Sequence, residues 1–577
     1  MGLTSALQIG RSGLVASQVG IQVAGNNMSN AATPGYTRQQ LFLQPSRDQL
    51  SGSFSLGRGV GVRAVERQID EALQARLRES ISAQSFEIER RQVLDQLESI
   101  MGELSGFDLS SEMSSFFNAW SDAANLAQAD AVVVERGQQL ASFIRSLRND
   151  MSLQRRQLED QIGLRTNRAD ALLDEVASIN AQISGSEVGG SSANGLRDRR
   201  DELLSELAGL IDIDTLEDNQ GVVDVYVGGS PVVLAGQSLG VRVNRRSDGT
   251  TVTTEIVAKS DGSRLPVRGG SIGGLLASRD ATIDDTIDRL DRLAQQVIFQ
   301  VNRAHSTGSD QDGLTSAVGE LRVATPDQTI PFNDPANATF GGLPFKAENG
   351  GFFINVFNAA SGVSEQVRID VDLDGIDANG LAGTADDTSP QDIADQINDV
   401  NGVRASFDAA GRLVIEADAG FSFAFEADTS GVLAVMGVNT FFTGETAGDI
   451  AVRADLLAQP SLLKLGKFEG DQFIENGAAL DIVNLQSSAQ AKLGGVSVEE
   501  FWLEAVQDVA NEASAAQTRA DSSELVRASL QAQRDGLSGV SIDEESINLL
   551  TFQRQFQGSS QVISVANELL NTLISII

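Results

Sequence analysis

Two stripes of apolar and small residues, one at each end of the chain, constrain the fold more than any other feature. Near the start the stripe runs Leu3, Leu7, Gly10, Leu14, Ser17, Ile21, Ala24, Met28 and Ala31, in alternating steps of four and three. At the end it runs Leu549, Phe552, Phe556, Ser559, Ile563, Ala566, Leu570, Leu573 and Ile577, again in steps of three and four. That is the spacing of a coiled-coil seam, which stays on one helix face and leaves that face needing a partner. The N-terminal stripe holds many small residues. Such a helix approaches its partner closely but buries little apolar area, so alone it is weakly held. The termini are therefore expected to become fully ordered on assembly of subunits. The interface expected is Leu3, Leu7, Leu14, Ile21 and Met28 at one end, with Leu549, Phe552, Phe556, Ile563, Leu570 and Leu573 at the other.

A chain of 577 residues is long enough for several domains. Its net charge of −36 argues against a nucleic-acid partner, which needs a basic groove or stripe. There is no cysteine, so a disulfide framework and a thiolate metal site are both excluded. The first thirty residues carry one charge, Arg11, and no continuous apolar stretch followed by a cleavage site. No run reaches the length of a membrane span. The expectation is a cytoplasmic protein, or one that leaves by a route reading an uncleaved N-terminus, with no membrane insertion.

The first helix should stop near Asn30, because Thr33-Pro34-Gly35 follows and proline disfavours helix just before it. Residues 36–65 read as extended. Helical patterns then cover about 68–104, 110–127, 130–184 and 196–209. From Ile211 to Val267 the pattern turns β-branched, as in Val222, Val223, Val225 and Val227, and is broken by Gly228-Gly229 and Asp248-Gly249. Helix returns at about 272–305. Residues 318–470 read as a β domain with a helical turn or two near 390–400, and within them 368–430 hold fourteen acids against three arginines. Helix resumes at about 477–535 and 541–577.

The fold class expected is multidomain and mainly α. Residues 1–65 with 536–577 form a terminal helical, coiled-coil-like domain. Residues 66–317 with 471–535 form a mainly helical rod domain with a β-rich segment at about 211–267. Residues 318–470 form an inserted β-rich outer domain. Helices bracketing a β-rich middle imply an elongated rod with its ends together at one tip and the insertion at the other.

The segment Asn26-Asn27-Met28-Ser29-Asn30-Ala31-Ala32-Thr33-Pro34-Gly35-Tyr36-Thr37-Arg38-Gln39 resembles the N-terminal signature of the bacterial flagellar axial proteins, the rod, hook and hook-associated proteins. Ser538-Gly539-Val540-Ser541-Ile542-Asp543-Glu544-Glu545, leading into Asn548-Leu549 and Phe552-Gln553, resembles their C-terminal signature. Gly35-Tyr36-Thr37-Arg38-Gln39, the run Asn194-Gly195-Leu196-Arg197-Asp198-Arg199-Arg200-Asp201-Glu202-Leu203-Leu204, Gly270 to Leu276, and Asn302 to His305 with Gly308 are similar to the hook-associated branch. The resemblance covers roughly 1–315 and 475–577 and leaves the insertion uncovered. It implies an extracellular structural subunit of the hook–filament junction, exported unfolded by the type III apparatus. The partners implied are further copies of itself, the hook protein, a second junction protein, and an export chaperone on the C-terminal helix. Alternatives are a hook or distal rod component, or a flagellum-borne adhesin or secreted enzyme acting through 318–470.

No catalytic residue, cofactor or metal site is expected. Gly269-Gly270-Ser271-Ile272-Gly273 fits the hydrolase elbow G-x-S-x-G, but the lone histidine, His305, follows within the same helical pattern, and a helix-capping Ser271 is the better reading. Asp370, Asp372, Asp374 and Gly375 match half of a calcium loop, but Leu381 stands where a bidentate glutamate is required. His305 alone cannot build a zinc site. Gly57, Gly59 and Gly61 lack the spacing of a nucleotide loop. A membrane-surface role for the N-terminal helix would need lysines and arginines on its polar face, which are missing. Phe116, Phe117 and Trp120 read as core.

Overall fold

Proline and glycine place the first break in the chain. The computed structural model describes residues 2–51, 54–102, 108–125, 129–188, 192–247, 252–377 and 379–576. The first helix, Gly2–Asn30, is closed by a turn in which the Tyr36 N–H donates to the Thr33 carbonyl at 3.2 Å. Pro34 sets φ at the first central position and Gly35, at φ +77°, takes the left-handed second one, the arrangement of a type II turn. Beyond it Gln39–Pro45 pairs antiparallel with Val60–Arg67, with a register shift between Phe42 and Leu43.

The chain is 56% helical with several β-sheets. It divides into two compact units, one of residues 1–93, 157–279 and 513–577, the other of 94–156 and 280–512. In the first unit Gly2–Asn30 packs against the C-terminal helix Ile542–Ile576. Asp214–Glu217, Val223–Val227, Ser230–Leu234 and Gln237–Ser238 form an antiparallel sheet in that order. Val223, Val225 and Val227 are buried while Asp224 and Tyr226 are half-buried, the period-two alternation of a one-faced strand. Val241–Ser247 and Val252–Ala258 make a hairpin, and the Asp248-Gly249 turn between them lies outside the described residues.

In the second unit one apolar core gathers residues from Leu314 to Val438, with Phe299 packed against it. Gly350–Asn358 lies between Val363–Val371 and Phe421–Glu426, and Leu413–Ala417 lies between Ser316–Val318 and Val403–Phe407. Phe352, Ile354, Phe423, Phe425 and Ile415 are fully buried in one cluster. The helix Pro390–Asn398 joins it through Ile393 and Ile397, and Ser389 and Asp392 form a capping box at its start.

Two expectations need correction. The helix expected over 477–535 is two helices, Gly477–Leu485 and Val498–Ser538. Gly494 and Gly495 take φ of +81° and +89°, and Ser497 restarts the helix by a reciprocal cap with Glu500. The helix expected over 272–305 is present, Gly270–Ser278 running on through a π-turn, Arg279–Ile283, into Asp284–Ser306, but its start differs. Ser271 does not cap it. The helix begins two residues earlier than such a cap would place it, from Gly269, and the Ser271 hydroxyl is buried without a partner.

Phe116, Phe117 and Trp120 lie in the core of the second unit, with the Trp120 ring 5.4 Å from Phe441 and 6.1 Å from His305. His305 Nδ1 donates to the Asn439 carbonyl at 2.7 Å, and Nε2 accepts from the Lys464 N–H at 3.5 Å. Burial lowers the His305 pKa from its ordinary 6.5 to about 4. Folded chain therefore refuses, between those values, a proton that unfolded chain accepts, so stability is complete above about pH 6.5 and falls as pH drops toward about 4. The loss is about 3 kcal/mol. Calorimetric melting of His305→Gln should show a shallower fall over that window than the parent chain. Parallel pH profiles for the two would contradict the assignment.

Candidate functional site

The residues of the N-terminal signature fold onto one buried amide. Asn27 is fully buried on the inner face of the first helix. Its Nδ2 donates to the Gln39 carbonyl at 2.8 Å and to Glu545 Oε2 at 3.2 Å. Its Oδ1 accepts from the Tyr36 hydroxyl at 2.8 Å and from the Gln39 N–H at 3.0 Å. All four hydrogen-bonding positions of the side chain are filled. Around it, Asn26 Nδ2 donates to the Tyr36 hydroxyl at 3.2 Å and Asn30 Nδ2 donates to Asn26 Oδ1 at 2.9 Å. Burial first, then Asp198 and Glu545, push the Tyr36 pKa up to about 12, so the phenol keeps the proton it donates to Asn27.

Arg38 carries the same point to the C-terminal signature. Its Nη1 meets Glu544 at 2.7 Å, and its Nε and Nη2 both bond Glu545 Oε1, at 2.8 and 2.7 Å. The Arg38 N–H donates to the Ser538 carbonyl at 2.9 Å, just before the C-terminal helix starts. The arginine- and aspartate-rich run joins from a third direction. The Thr37 N–H donates to Asp198 Oδ2 at 3.3 Å, and Asn194 Nδ2 donates to the Val65 carbonyl at 2.9 Å. Arg67 Nη1 bridges Asp198 and Asp201 at 2.9 and 2.7 Å. Burial opposes the Arg67 charge, but Asp201 and Asp198 outweigh it and hold its pKa above the usual range. Three stretches far apart in sequence thus meet in one polar lock, with Pro34 and Gly35 making the turn that presents Tyr36, Thr37, Arg38 and Gln39 to it. Arg67 was not singled out from sequence, since one arginine ending a strand carries no pattern.

Outside the lock the two terminal helices run antiparallel along a seam of small residues. A Cβ on Gly10 would fall 2.6 Å from Ile563, one on Gly20 would fall 2.5 Å from the Phe552 ring, and Gly13 faces Ser559. Gly10, Ser17, Gly20 and Ala24 are buried here, while Leu3, Leu7, Leu14, Ile21 and Met28 are half-buried beside them. On the C-terminal helix Leu549, Phe552, Ile563 and Leu570 are half-buried. Phe556 and Leu573 are exposed, and Ile547, Leu550, Val562, Val565 and Leu569 extend an uncovered apolar face around them. The stripes therefore partner each other within one chain, and what stays open is a second face of the C-terminal helix. Ile577 lies outside the described residues.

Elsewhere, Asp372, Asp374 and Asp387 bring carboxylate oxygens within 4.8 Å of one another. Asp370 is not among them. It lies within the strand Val363–Val371 and pairs with Arg368 at 2.8 Å. Two of the three carboxylates are exposed, as is common on acidic surfaces without an ion. His305, bonded through both ring nitrogens, has no free nitrogen to serve Ser271 as a base.

The chain is similar to known proteins. A family model described as the flagellar hook-associated protein FlgK helical domain matches residues 94–319. Models for the flagellar basal body rod FlgEFG protein C-terminal region and for the flagellin hook IN motif match 536–576 and 357–419. Flagellar hook-associated protein 1 of Escherichia coli (strain K12) is 24% identical, with 100% of both chains covered. That of Bacillus subtilis (strain 168) is 23% identical, covering 99% of this chain and 97% of the relative. The structure of the flagellar hook junction protein FlgK from Burkholderia pseudomallei aligns at 15% identity and a TM-score of 0.48, over 81% of this chain and 100% of that one. The insertion, expected to lie outside any resemblance, contains the hook IN match and is spanned by the full-length relatives.

Two comparisons test the lock and the seam. Arg38→Ala leaves the buried Glu545 carboxylate without its cation and should cost about 3 kcal/mol or more. Glu544→Ala removes an exposed partner and should cost less than about 1 kcal/mol. Equal losses in denaturant melts would show that the lock carries no weight. Gly25→Ala, where an added Cβ meets no atom within 4 Å, should stabilise by the usual helix preference of about 1 kcal/mol. Gly20→Ala should instead destabilise, because the Phe552 contact exceeds that gain. If both variants gain stability, the seam is looser than described.

Proposed function

Because the chain belongs to the flagellar hook-associated protein 1 family, we propose that it is a structural, non-enzymatic subunit of the junction between hook and filament. It leaves the cell by the flagellar type III pathway and assembles by stacking, each copy offering two different surfaces to its neighbours. The observation that carries this reading is the open apolar face of the C-terminal helix, next to a lock that fixes that helix to the first one. A closed monomer with no partner would have little reason to keep Leu550, Val565 and Leu569 in water.

In this reading residues 1–65 and 536–577 line the inner tube, 66–317 with 471–535 form the helical body, and 318–470 face outward. Of the expected interface residues, Phe552 and Ile563 sit in the seam itself, whereas Leu3, Leu7, Leu14, Ile21, Met28, Leu549, Phe556, Leu570 and Leu573 flank the seam and the open face and contact neighbouring copies. The hook protein lies on one side and a second junction protein on the other. Before export a chaperone covers the open face, as an amphipathic helix seated in a groove.

Electron microscopy of a strain lacking the chain should show hooks without filaments. Loss of the hook itself would make the chain a rod or hook component instead. Phe556→Asp and Leu569→Asp, both at exposed positions, should change monomer stability by less than about 0.5 kcal/mol yet abolish filament attachment. Deleting 318–470 with a short Gly-Ser joint should retain at least part of it. A motile Leu569→Asp strain beside a filament-less deletion strain would place function in the insertion.

A further inference from the structure

Cations are outnumbered in this chain, 43 lysines and arginines against 79 aspartates and glutamates. Four converge on one cavity of about 600 Å³ in the second unit. Arg292 and Arg303 rise from the helix Asp284–Ser306, Lys346 comes from the loop before Gly350–Asn358, and Lys492 comes from the turn before Val498–Ser538. Among the described residues none of the four makes a salt bridge. Arg292 rests over the Phe501 ring, 5.5 Å from its centroid, and Arg303 donates to the carbonyls of Asp428 and Thr429 at 3.0 and 3.1 Å. Glu348 is the one carboxylate on the lining, and the Asp428 carboxylate behind Arg303 is occupied by Ser430, Gly431 and Leu433.

Two further observations show that the cavity is more than a charged surface. Phe299 and Phe345 stack in its wall with centroids 5.6 Å apart and planes inclined by 21°, giving an apolar floor. Gln296 also lines it. That side chain is 8% exposed, and its Oε1 has no hydrogen-bond partner. A buried acceptor left open this way is costly unless something donates to it. The ligand that fits brings carboxylates for the cations, an apolar group for the phenylalanines, and an N–H for Gln296. A short acidic stretch of polypeptide carries all three.

We propose that this cavity receives the Asp372–Asp377 stretch of a second copy of the chain. Asp372 and Asp374 are exposed there, and Ile376 is 51% exposed although apolar, so acid and apolar tip are offered together. Cavity and stretch are different surfaces of one molecule, so the contact is heterologous and propagates from copy to copy. The inference rests on the assembly reading above and adds to it a specific outer contact. It uses the acidity of the insertion, which the terminal helices do not.

The test is calorimetry of the full-length chain at low salt with a synthetic peptide of residues 368–377. The peptide should bind, and binding should weaken with added salt, since exposed ion pairs are screened. Replacing its aspartates by asparagine should weaken it about tenfold or more, as should Lys346→Glu with Lys492→Glu in the chain. Those two lysines are exposed, so melting of the double variant should match the parent. An inert acidic peptide overturns the proposal, as does equal affinity for the charge-reversed chain, or binding of inorganic phosphate alone. The measurement uses isolated chain. A negative result therefore removes this contact only, whereas absence of the chain from flagella would remove the junction reading and leave a positive result standing.

Discussion

The terminal architecture depends on Asn27 having no free hydrogen-bonding position. A buried side-chain amide is stable only when its donors and acceptor are all met. Here the partners are the turn that ends its own helix, the strand that follows, and the far end of the chain. An aspartate in its place could not donate to the Gln39 carbonyl and would set a second negative charge beside Glu545. A hydrophobic residue would take one hydrogen bond from Glu545, one from Tyr36 and both from the Gln39 backbone. The interaction therefore specifies one geometry more than it adds net stability.

That specificity matters because the seam beside it is permissive. Gly10, Gly13 and Gly20 admit Ile563, Ser559 and Phe552 closely, but small residues against large ones tolerate a slide along the helix. A single polar residue in such a seam fixes its register, and the Asn27–Glu545 contact does so at the end nearest the turn. Arg38 strengthens it with charge. The seam then closes one face of the C-terminal helix and leaves the other apolar face in water, a division suited to a subunit whose second partner is another copy.

Much of this was legible in the sequence, and the gaps have physical causes. Pro34 and Gly35 marked the end of the first helix because their backbone preferences are local. Alternating valines marked the strands near 223–227 for the same reason. The heptad stripes and the matching ends placed the terminal helices in one coiled-coil-like domain, but periodicity names a face and not its depth, so the glycine contacts of the seam and the open second face of the C-terminal helix were not visible. The break before Val498 was present as Gly494-Gly495 and the Ser497–Glu500 cap, and the helical pattern on both sides masked it. The lock was half legible. Its residues stood out as signatures, whereas the meeting of Asn27, Asp198 and Glu545 is a property of the folded chain. The cavity around Gln296 left no trace in sequence, since its cations come from three separate segments.

Under the proposed function the terminal helices form a closed pair in the single chain and are completed by neighbours in the assembly. Hydrogen–deuterium exchange, on the isolated chain and on purified hook–filament structures, tests it most directly. The account predicts measurable protection of Gly2–Asn30 and Ile542–Ile576 in the isolated chain, and a rise of about a hundredfold or more on assembly, while the buried core around Phe352 and Phe425 is unchanged. Equal protection of the terminal helices in both states, with the rise confined to 318–470, would contradict it.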